Sequence, residues 1–297
     1  MTSPGFEEAE RSNAQTLIDL ALAEDLGQAG DLTAYLTIPA RARGSARLAS
    51  RSDGVVSGLP VVAMLAARFE LAFHPSEGRE DGDRVSAGSE VARVSGSMRS
   101  LLAWERTALN FLQRLSGIAT LTARFVAEVE GTKATILDTR KTTPGWRALE
   151  KYAVRCGGGR NHRFGLYDAI LIKDNHLAWL ATGADPIGAA LASARAHAPS
   201  GMIIEIEVDT LEGLDRALEC GPDVILVDNF DADHLAEAVR RRDARSPRVE
   251  LEASGGVNLA SVAALARTGV DRISVGALTH SAPALDIGLD LDQAIPS

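Results

Sequence analysis

Residues 203–227 read IIEIEVDTLEGLDRALECGPDVILV and alternate two kinds of local pattern. Residues 203–208 and 224–227 are β-branched, apolar runs, which predict buried strands. Residues 211–220 lie between them and carry Leu and Ala at helical spacing. A strand, a helix and a second strand in so short a stretch predict one βα unit of a parallel sheet.

The same alternation continues on both sides of this unit. Further strands are predicted at 134–138, 169–173, 249–253 and 272–275, and further helices at 233–242 and 259–268, the last one introduced by Asn258 as N-cap. Units of this length suit an α/β barrel or a doubly wound sheet. The visible strands number fewer than the eight of a closed barrel, so either strands escape the pattern or the barrel is incomplete.

The first part of the chain has a different character. Residues 44–56 and 83–94 alternate apolar and polar positions around Gly-containing turns, which predicts strands of a small mixed α/β domain. Residues 99–115 form a helical pattern with one broad apolar side. We therefore predict an α/β sandwich domain over 1–116 and a second α/β domain over 117–285, with residues 286–297 packing back on the first.

Composition narrows the class of protein. The chain has 297 residues, 45% of them hydrophobic, and a formal net charge of −9, which argues against a nucleic-acid partner. The N-terminal sequence lacks the pattern of a secretory signal, and no apolar run is long enough to span a membrane, so we predict a cytoplasmic protein without membrane contact. Cys156 and Cys220 show no metal-binding or disulfide spacing.

Positive charge gathers in residues 139–173, TRKTTPGWRALEKYAVRCGGGRNHRFGLYDAILIK. Eight Lys or Arg stand there against two acidic residues, inside a chain that is acidic overall. Such a cluster is typical of a site for a small polyanion. We therefore expect a ligand that carries carboxylates or phosphates.

Functional side chains recur where the predicted strands end. Because the carboxyl ends of parallel strands share one edge of the sheet, where barrel enzymes place their active sites, we expect these residues to lie together. They comprise two cations, two carboxylates and two small-residue turns suited to phosphate: Arg140, Lys173, Glu207, Asp228, Ser254 and Gly276.

The carboxylates of this set have specific expected roles. Glu205 and Glu207 alternate along one strand, so both point to the same side, which is costly unless they meet cations or a metal. Glu207 is nearer the ligand, and Glu205 is expected to pair with a buried Lys or Arg. Asp228 either holds ribose hydroxyls or Mg²⁺, or caps the following helix. His162 is either a packed residue or a ligand contact.

The segments DTRKTTPGWR, EKYAVRCGGGRNHRFGLYDAILIKDNH, EIEVDT, LVDNF, LEASGG and SVGALTHS, in this order, resemble the quinolinate phosphoribosyltransferases. The resemblance extends from about Leu17 to Asp290. It implies an N-terminal α/β open sandwich domain, an incomplete βα barrel of about seven strands, and a homodimer whose sites are completed by the neighbouring subunit.

The resemblance also implies roles for individual residues. The carboxylates of quinolinate would meet Arg140, Arg163 and Lys173, with His162 nearby and Arg106 supplied by the partner subunit. Phosphoribosyl pyrophosphate would meet Thr139, Lys141, Glu207, Asp228 and the two turns, Ser254, Gly255, Gly256 and Val275, Gly276, Ala277. Mg²⁺ would be bound at Glu207 and Asp228, and the catalytic residues would be Lys141, Lys173, Glu207 and Asp228.

The implied reaction transfers the phosphoribosyl group to the pyridine nitrogen of quinolinate, releases pyrophosphate and CO₂, and gives nicotinate mononucleotide for NAD biosynthesis. Two alternatives stay open at this point. One is a nicotinate phosphoribosyltransferase of similar fold, and the other is a non-catalytic anion-binding barrel protein. The number of cations favours quinolinate, because a single carboxylate would leave some of them unpaired.

Overall fold

A computed structural model describes residues 4–180 and 184–292. The chain divides into two compact units. One unit comprises the chain up to Ala123, Thr142–Gly158 and the chain from Leu278 onward. The other comprises Arg124–Lys141 and Gly159–Ala277. The chain therefore enters and leaves the first unit more than once.

The elements of the first 130 residues come in this order: α1 (Glu8–Leu26), α2 (Leu32–Thr37), β1 (Arg43–Ser50), β2 (Gly54–Val55), α3 (Leu59–Arg68), β3 (Ala72–Pro75), β4 (Arg84–Val85), β5 (Glu90–Ser97) and α4 (Met98–Glu128). The rest are β6 (Thr135–Leu137), α5 (Arg147–Cys156), β7 (Ile170–Ile172), α6 (Asp174–Leu180), α7 (Pro186–His197), β8 (Ile204–Val208), α8 (Leu211–Cys220), β9 (Val224–Asp228), α9 (Ala232–Arg245), β10 (Glu250–Ser254), α10 (Val262–Arg267), β11 (Arg272–Ser274), α11 (Ala277–His280) and β12 (Ile287–Leu291).

The second unit is built on a parallel sheet. Among the described residues, six strands pair in the order β6-β11-β10-β9-β8-β7. These are the six strands that the sequence predicts, each within two residues of its expected ends. An isolated parallel bridge pairs Arg160 with Leu137 of β6, on the side of β6 away from β11. The α/β class is confirmed, whereas closure of the sheet into a barrel stays a prediction.

The βα units form because the sequence places capping residues at the helix ends and apolar residues on the helix faces that become buried. In α8, the Thr210 side chain accepts a hydrogen bond from the Gly213 N–H and so caps the helix N-terminus. Leu214, Ala217 and Leu218 are buried at helical spacing, and Gly221 ends the helix in the left-handed conformation. Asn258 makes the contacts predicted of it as a cap: its side-chain oxygen accepts hydrogen bonds from the N–H groups of Ala260 and Ser261, and its carbonyl accepts one from Val262. The regular helix α10 begins only after Ser261.

The first unit contains an antiparallel sheet in the order β12-β1-β5-β3. Strand β12 pairs with β1 from Ala46 opposite Leu291 to Ser50 opposite Ile287. Helix α4 continues through Gly117, near which we predicted a boundary, to Glu128. A Cβ on Gly117 would lie 2.1 Å from the Pro283 carbonyl oxygen, so this position requires glycine.

Helix α3 begins with tertiary support. Its N-cap is Gly58, which has no side chain, and the buried carboxylate of Asp81 accepts hydrogen bonds from the N–H groups of Gly58 (2.8 Å) and Leu59 (3.1 Å). The Tyr152 hydroxyl donates to the same carboxylate at 2.8 Å. Asp81 therefore satisfies helix donors that a local capping side chain would normally satisfy.

Two further predictions concern the whole chain. In the part of the chain that the structure describes, none of the helices combines the length and the apolar character that crossing a membrane requires. Cys156 and Cys220 are both free thiols, and Cys156 is buried. The cytoplasmic location stays a prediction.

Candidate functional site

A cavity of about 460 Å³ opens at the carboxyl ends of the parallel strands. Its walls combine cations, carboxylates and hydroxyl groups with two leucines. The lining residues are Thr139, Arg140, Lys141, His162, Arg163, Leu171, Lys173, Glu207, Leu226, Asp228, Glu252, Ser254 and Ser274. Nine of the predicted site residues therefore line one cavity, at the edge of the sheet where the strand order predicts them: Thr139, Arg140, Lys141, His162, Arg163, Lys173, Glu207, Asp228 and Ser254.

Strand alternation explains how the side chains reach one cavity. Leu226 and Asp228 lie two residues apart on β9, and Glu252 and Ser254 lie two residues apart on β10. Residues i and i+2 share one face of a strand, so each strand contributes a deep residue and a residue at its carboxyl end. The register places Glu252 beside Leu226 and Ser254 beside Asp228.

Asp138 organises the loop that carries His162 and Arg163. This fully buried carboxylate follows β6 and accepts a hydrogen bond from the Asn161 amide at 2.6 Å and another from the His162 backbone N–H at 2.9 Å. The Asp138 N–H in turn donates to the Arg160 carbonyl. The loop is thus held at the edge of the sheet by a buried charge.

His162 and Glu252 line the cavity and form a cluster with the buried Glu205. The imidazole Nε2 is 3.1 Å from a Glu205 oxygen and 3.5 Å from a Glu252 oxygen. Nδ1 accepts a hydrogen bond from the Arg163 backbone N–H at 2.7 Å, which places the ring proton on Nε2. Glu205 therefore contacts a histidine directly, and its relation to an arginine is an electrostatic one, because its charge acts on Arg163.

Burial changes the acidity of Glu252. Its side chain is inaccessible to solvent, and this burial raises its pKa to about 7. The neighbouring negative charge of Glu205 adds to the effect, while His162, Ser274 and Arg272 oppose it. Two carboxylates at one desolvated point cannot both ionise cheaply, so Glu252 retains a proton at neutral pH far more than an ordinary glutamate does.

Lys173 and Glu207 form an ion pair across neighbouring strand ends, and the Glu207 side chain is only 13% exposed. The Lys173 backbone N–H donates to His176 Nδ1 at 2.8 Å, which fixes the turn after β7. Asp228 accepts a hydrogen bond from the Asn229 amide at 2.7 Å. Asp228 does not cap the following helix, because Asp231 is the N-cap of α9.

Three neighbouring cations, Arg140, Lys141 and Arg163, also line the cavity. Burial, and then the charge of Arg140, lower the pKa of the Arg163 guanidinium. Arg163 also donates to the Ala169 carbonyl at 3.2 Å, which orients its side chain. The Lys141 N–H donates to the Thr139 hydroxyl at 3.0 Å. An anion between these cations would relieve their mutual repulsion.

The two predicted phosphate turns lie at the ends of β10 and β11. Gly255 has φ of +96°, and a Cβ there would fall 2.1 Å from the Asn229 amide oxygen, so only glycine fits. The Asn229 N–H donates to the Ser254 carbonyl. Val275 is buried and donates its N–H to the Leu137 carbonyl. Of the residues in the two turns, Ser254 lines the cavity, while Gly255, Gly256, Val275, Gly276 and Ala277 are not among its lining residues.

The cations of residues 139–173 do not all line the cavity. Arg147, Lys151 and Arg155 lie on α5 in the first unit, where Lys151 is buried and Arg155 pairs with Glu10. Arg106 is an exposed residue of α4 and is not among the lining residues of the cavity. Arg147, Lys151 and Arg155 are spaced four residues apart, as on one face of a helix. This spacing could have separated them from the site residues at the sequence level.

Sequence reasoning missed Glu252 and Ser274. Glu252 stands two residues before Ser254 in LEAS, so the alternation that linked Glu205 to Glu207 also predicts that Glu252 faces the cavity. Ser274 stands on β11 next to β10. A hydroxyl of this kind has no distinctive pattern in a single sequence.

An α/β protein that gathers cations and carboxylates in one cavity at the strand ends belongs to the class that binds small, highly charged ligands. The model of the quinolinate phosphoribosyl transferase N-terminal domain matches residues 31–116, and that of the C-terminal domain matches residues 118–290. The chain is a member of the quinolinate phosphoribosyltransferase family.

Relatives in other organisms agree with this assignment. The chain is 46% identical to the nicotinate-nucleotide pyrophosphorylase [carboxylating] of Mycobacterium leprae, over 96% of this chain and all of that protein. It is 38% identical to the quinolinate phosphoribosyltransferase [decarboxylating] 1b of Nicotiana tabacum, over 94% of this chain and 82% of that protein.

Solved structures show the same fold. The nicotinate-nucleotide pyrophosphorylase of Francisella tularensis superposes with a TM-score of 0.87 at 36% identity, covering 95% of this chain and 96% of that one. Human nicotinic acid phosphoribosyltransferase gives a TM-score of 0.59 at 15% identity, covering 92% of this chain and 74% of that one, which shows a likeness of fold alone.

Proposed function

We propose that this protein transfers the phosphoribosyl group of phosphoribosyl pyrophosphate to quinolinate and decarboxylates the product to nicotinate mononucleotide, a step of NAD biosynthesis. The observation that carries this proposal is the single cavity in which Arg140, Arg163 and Lys173 face Glu207 and Asp228. Family membership supports the same reaction.

Quinolinate fits the cationic wall because it has two carboxylates. Arg140 and Arg163 repel each other, so a dianion that binds between them gains from both charges. Lys173 adds a third cation, and its pairing with Glu207 keeps it within the cavity until the substrate arrives. Nicotinate has a single carboxylate and would leave part of this repulsion in place.

Phosphoribosyl pyrophosphate is assigned to the other side of the cavity. Glu207 and Asp228 would accept hydrogen bonds from its ribose hydroxyls, and Thr139 and Lys141 would face its phosphates. The turns Ser254–Gly256 and Val275–Ala277 would surround the 5′-phosphate with backbone N–H groups other than that of Val275, which donates to the Leu137 carbonyl. Two anions that repel each other in water are thereby held side by side, which supplies much of the rate enhancement.

Glu207 and Asp228 also suit Mg²⁺. They offer hard carboxylate oxygens on adjacent strands, and Glu207 is mostly buried, which matches a cation that takes one or two carboxylates and completes its shell with phosphate and water. Bound there, the ion would neutralise charge that develops on the leaving pyrophosphate. The protein's own Lys141 would stabilise the same charge, and no side chain has to act as a nucleophile.

We also propose that the parallel sheet curls into an incomplete barrel of about seven strands. His162 lies two residues after Arg160, which pairs with β6 on the side away from β11. Its ring nevertheless reaches Glu205 on β8 at 3.1 Å. In a flat sheet of this order the two positions would be separated by five strand spacings, roughly 24 Å. The contact supports a sheet whose two edges approach each other, with Arg160 as the seventh strand.

A homodimer completes the proposal. Arg106 is exposed on α4, and family resemblance assigns it to the substrate site of the neighbouring subunit. A guanidinium supplied in this way would add to the cations that meet quinolinate. Activity would then require that two subunits assemble.

The reaction can be tested directly. Purified protein would be incubated with quinolinate, phosphoribosyl pyrophosphate and Mg²⁺, with nicotinate in a parallel reaction, and CO₂ and nicotinate mononucleotide would be measured. Product and CO₂ from quinolinate alone are expected. Product from nicotinate alone would favour the other phosphoribosyltransferase, and no product from either would favour an anion-binding protein.

A further inference from the structure

Glu252 is a buried carboxyl group that borders the cavity. Its side chain is 0% exposed, yet it lines the same cavity as Lys173 and Asp228. It lies on β10 two residues before Ser254, so both side chains face the cavity. The carboxyl group is thus shielded from solvent and adjacent to the space where the substrate would bind.

The groups around Glu252 leave it short of positive charge. Glu205 faces it from β8, His162 from the loop after Arg160, and Arg272 and Ser274 belong to β11. His162 directs Nε2 at both glutamates, and the positive charges of His162 and Arg272 only partly offset the effects of burial and of Glu205.

Within the described residues, neither oxygen of the Glu252 carboxyl accepts a hydrogen bond of full geometry, and the neighbouring Ser274 hydroxyl favours the charged form less than burial disfavours it. A buried carboxylate in that position is costly, and a proton on Glu252 removes the cost. Burial and the charge of Glu205 raise the pKa of Glu252 to about 7, in agreement with this arrangement.

The proposed reaction requires a proton at one ring carbon. Once the phosphoribosyl group is attached, the pyridine nitrogen is positively charged, and the bond from C2 of the ring to its carboxylate breaks. CO₂ leaves, and the bonding electron pair stays on C2. A proton must then add to C2 to give nicotinate mononucleotide. Without prompt protonation the carbanion recaptures CO₂, so the net release of CO₂ depends on an acid close to the ring.

We infer that Glu252 is this acid. Its carboxyl proton adds to C2, and the residue is left as a carboxylate beside Glu205. A proton from water then restores it through His162, which lines the cavity, is 10% exposed and lies 3.5 Å from a Glu252 oxygen. Lys173 is less suited, because its charge is needed as the counterion of the substrate carboxylate and of Glu207. The ring proton of His162 points between the two glutamates. The inference rests on the proposed function.

The test compares Glu252→Gln with the unmodified protein in single-turnover reactions. Quinolinate labelled in its 2-carboxylate, phosphoribosyl pyrophosphate and Mg²⁺ are mixed with excess enzyme, and pyrophosphate and labelled CO₂ are followed separately. Glutamine has the shape of a protonated glutamate but cannot transfer its proton. We expect pyrophosphate release within about threefold of normal and CO₂ release slowed roughly 100- to 10,000-fold, the usual range for a general acid. The undecarboxylated mononucleotide should accumulate.

Glu250→Gln is the matched control. Glu250 lies on the same strand at its other end, where it pairs with Arg272, and it is not among the residues of the active cavity. Both release rates should be unchanged in this variant. If Glu252→Gln releases CO₂ as fast as the unmodified protein, or slows both products together, the role of Glu252 is wrong. If the unmodified protein releases neither product, it is the proposed function that fails.

Two measurements on the unmodified protein keep the inference testable if Glu252→Gln does not fold. The acid must be protonated to act, so CO₂ release should fall as the pH rises through about 7 and above while pyrophosphate release does not follow it. CO₂ release that keeps pace with pyrophosphate at every pH would overturn the inference. So would a metal ion bound at one per chain to His162, Glu205 and Glu252, whose side-chain donor atoms lie within 4.8 Å of one another.

Discussion

The contacts of Arg163 hold its side chain in one orientation within the cavity. Its guanidinium is partly buried beside Arg140, with one N–H directed at the Ala169 carbonyl, so its position is defined before any ligand binds. A planar guanidinium held in this way can form two parallel hydrogen bonds to a carboxylate. A lysine at the same place would keep the charge and lose the paired geometry.

We expect Arg163→Ala to weaken quinolinate binding by roughly 10- to 100-fold, which corresponds to the loss of one charge-assisted contact of about 1.5 to 3 kcal/mol. Isothermal titration calorimetry with quinolinate would measure it. Arg245→Ala serves as the control, because Arg245 is half exposed and pairs with Asp215 away from the cavity. Unchanged affinity in Arg163→Ala would remove this residue from the carboxylate site.

At the scale of elements, the turn after β10 depends on two glycines with different constraints. Gly255 has φ of +96°, and a Cβ there would collide with Asn229. Gly256 has φ of +58°, and a Cβ there meets open space among the described residues. The two positions therefore separate backbone strain from steric collision.

We expect Gly256→Ala to lower the free energy of unfolding by roughly 1 to 2 kcal/mol, the cost of a left-handed alanine. Gly255→Ala should cost clearly more, because the turn also has to move away from Asn229. Chemical denaturation of both variants would measure the difference. Equal losses would show that the Asn229 contact adjusts without cost.

The beginning of α3 gives a pH-dependent prediction. Burial raises the pKa of Asp81 to about 6, against the smaller opposing effects of hydrogen bonds from Gly58, Leu59 and Tyr152. The folded protein therefore binds this proton more tightly than the unfolded chain, whose aspartates titrate at about 3.9. The stabilisation from protonation is complete below that value and is lost as the pH rises through about 6.

Asp81→Asn removes this titration. Relative to the variant, the unmodified protein should lose stability between pH 4 and pH 6, at up to about 1.4 kcal/mol per pH unit. Urea denaturation at several pH values would give the two curves. Parallel curves over this range would mean that the Asp81 carboxyl titrates alike in the folded and unfolded states.

At the scale of the whole molecule, the proposed homodimer predicts complementation between subunits. Arg106→Ala and Lys173→Ala should each be nearly inactive. Mixed dimers would contain one site with both changes and one native site. After subunit exchange at equal amounts, about a quarter of normal activity should return, as expected for random pairing in a twofold dimer.

The matched control pairs Lys173→Ala with Asp228→Ala. Both residues line the cavity of a single chain, so each mixed dimer keeps one damaged cavity per subunit. No activity should return in this mixture. If the first mixture also stays inactive, each chain completes its own site.

The sequence predicted the six parallel strands because a strand covered on both faces needs an uninterrupted apolar run, as in β9, where Val224–Val227 are all buried. It predicted the strand-end residues because parallel strands share one carboxyl edge. It did not reveal which distant side chains meet. The contact between His162 and Glu252 joins residues far apart in the chain, and nothing in either local pattern encodes it.

The discontinuous first unit has a consequence for synthesis. Strand β12, which covers the edge of β1, is translated after the entire second unit. At the usual rates of elongation, the edge of β1 that pairs with β12 stays unpaired for roughly 10 to 50 seconds after β1 leaves the ribosome. During this interval the nascent chain presents an unpaired strand edge, of the kind that recruits other chains. The second unit, continuous except for one excursion, can fold in the meantime, so the native order of assembly follows the order of translation only in part.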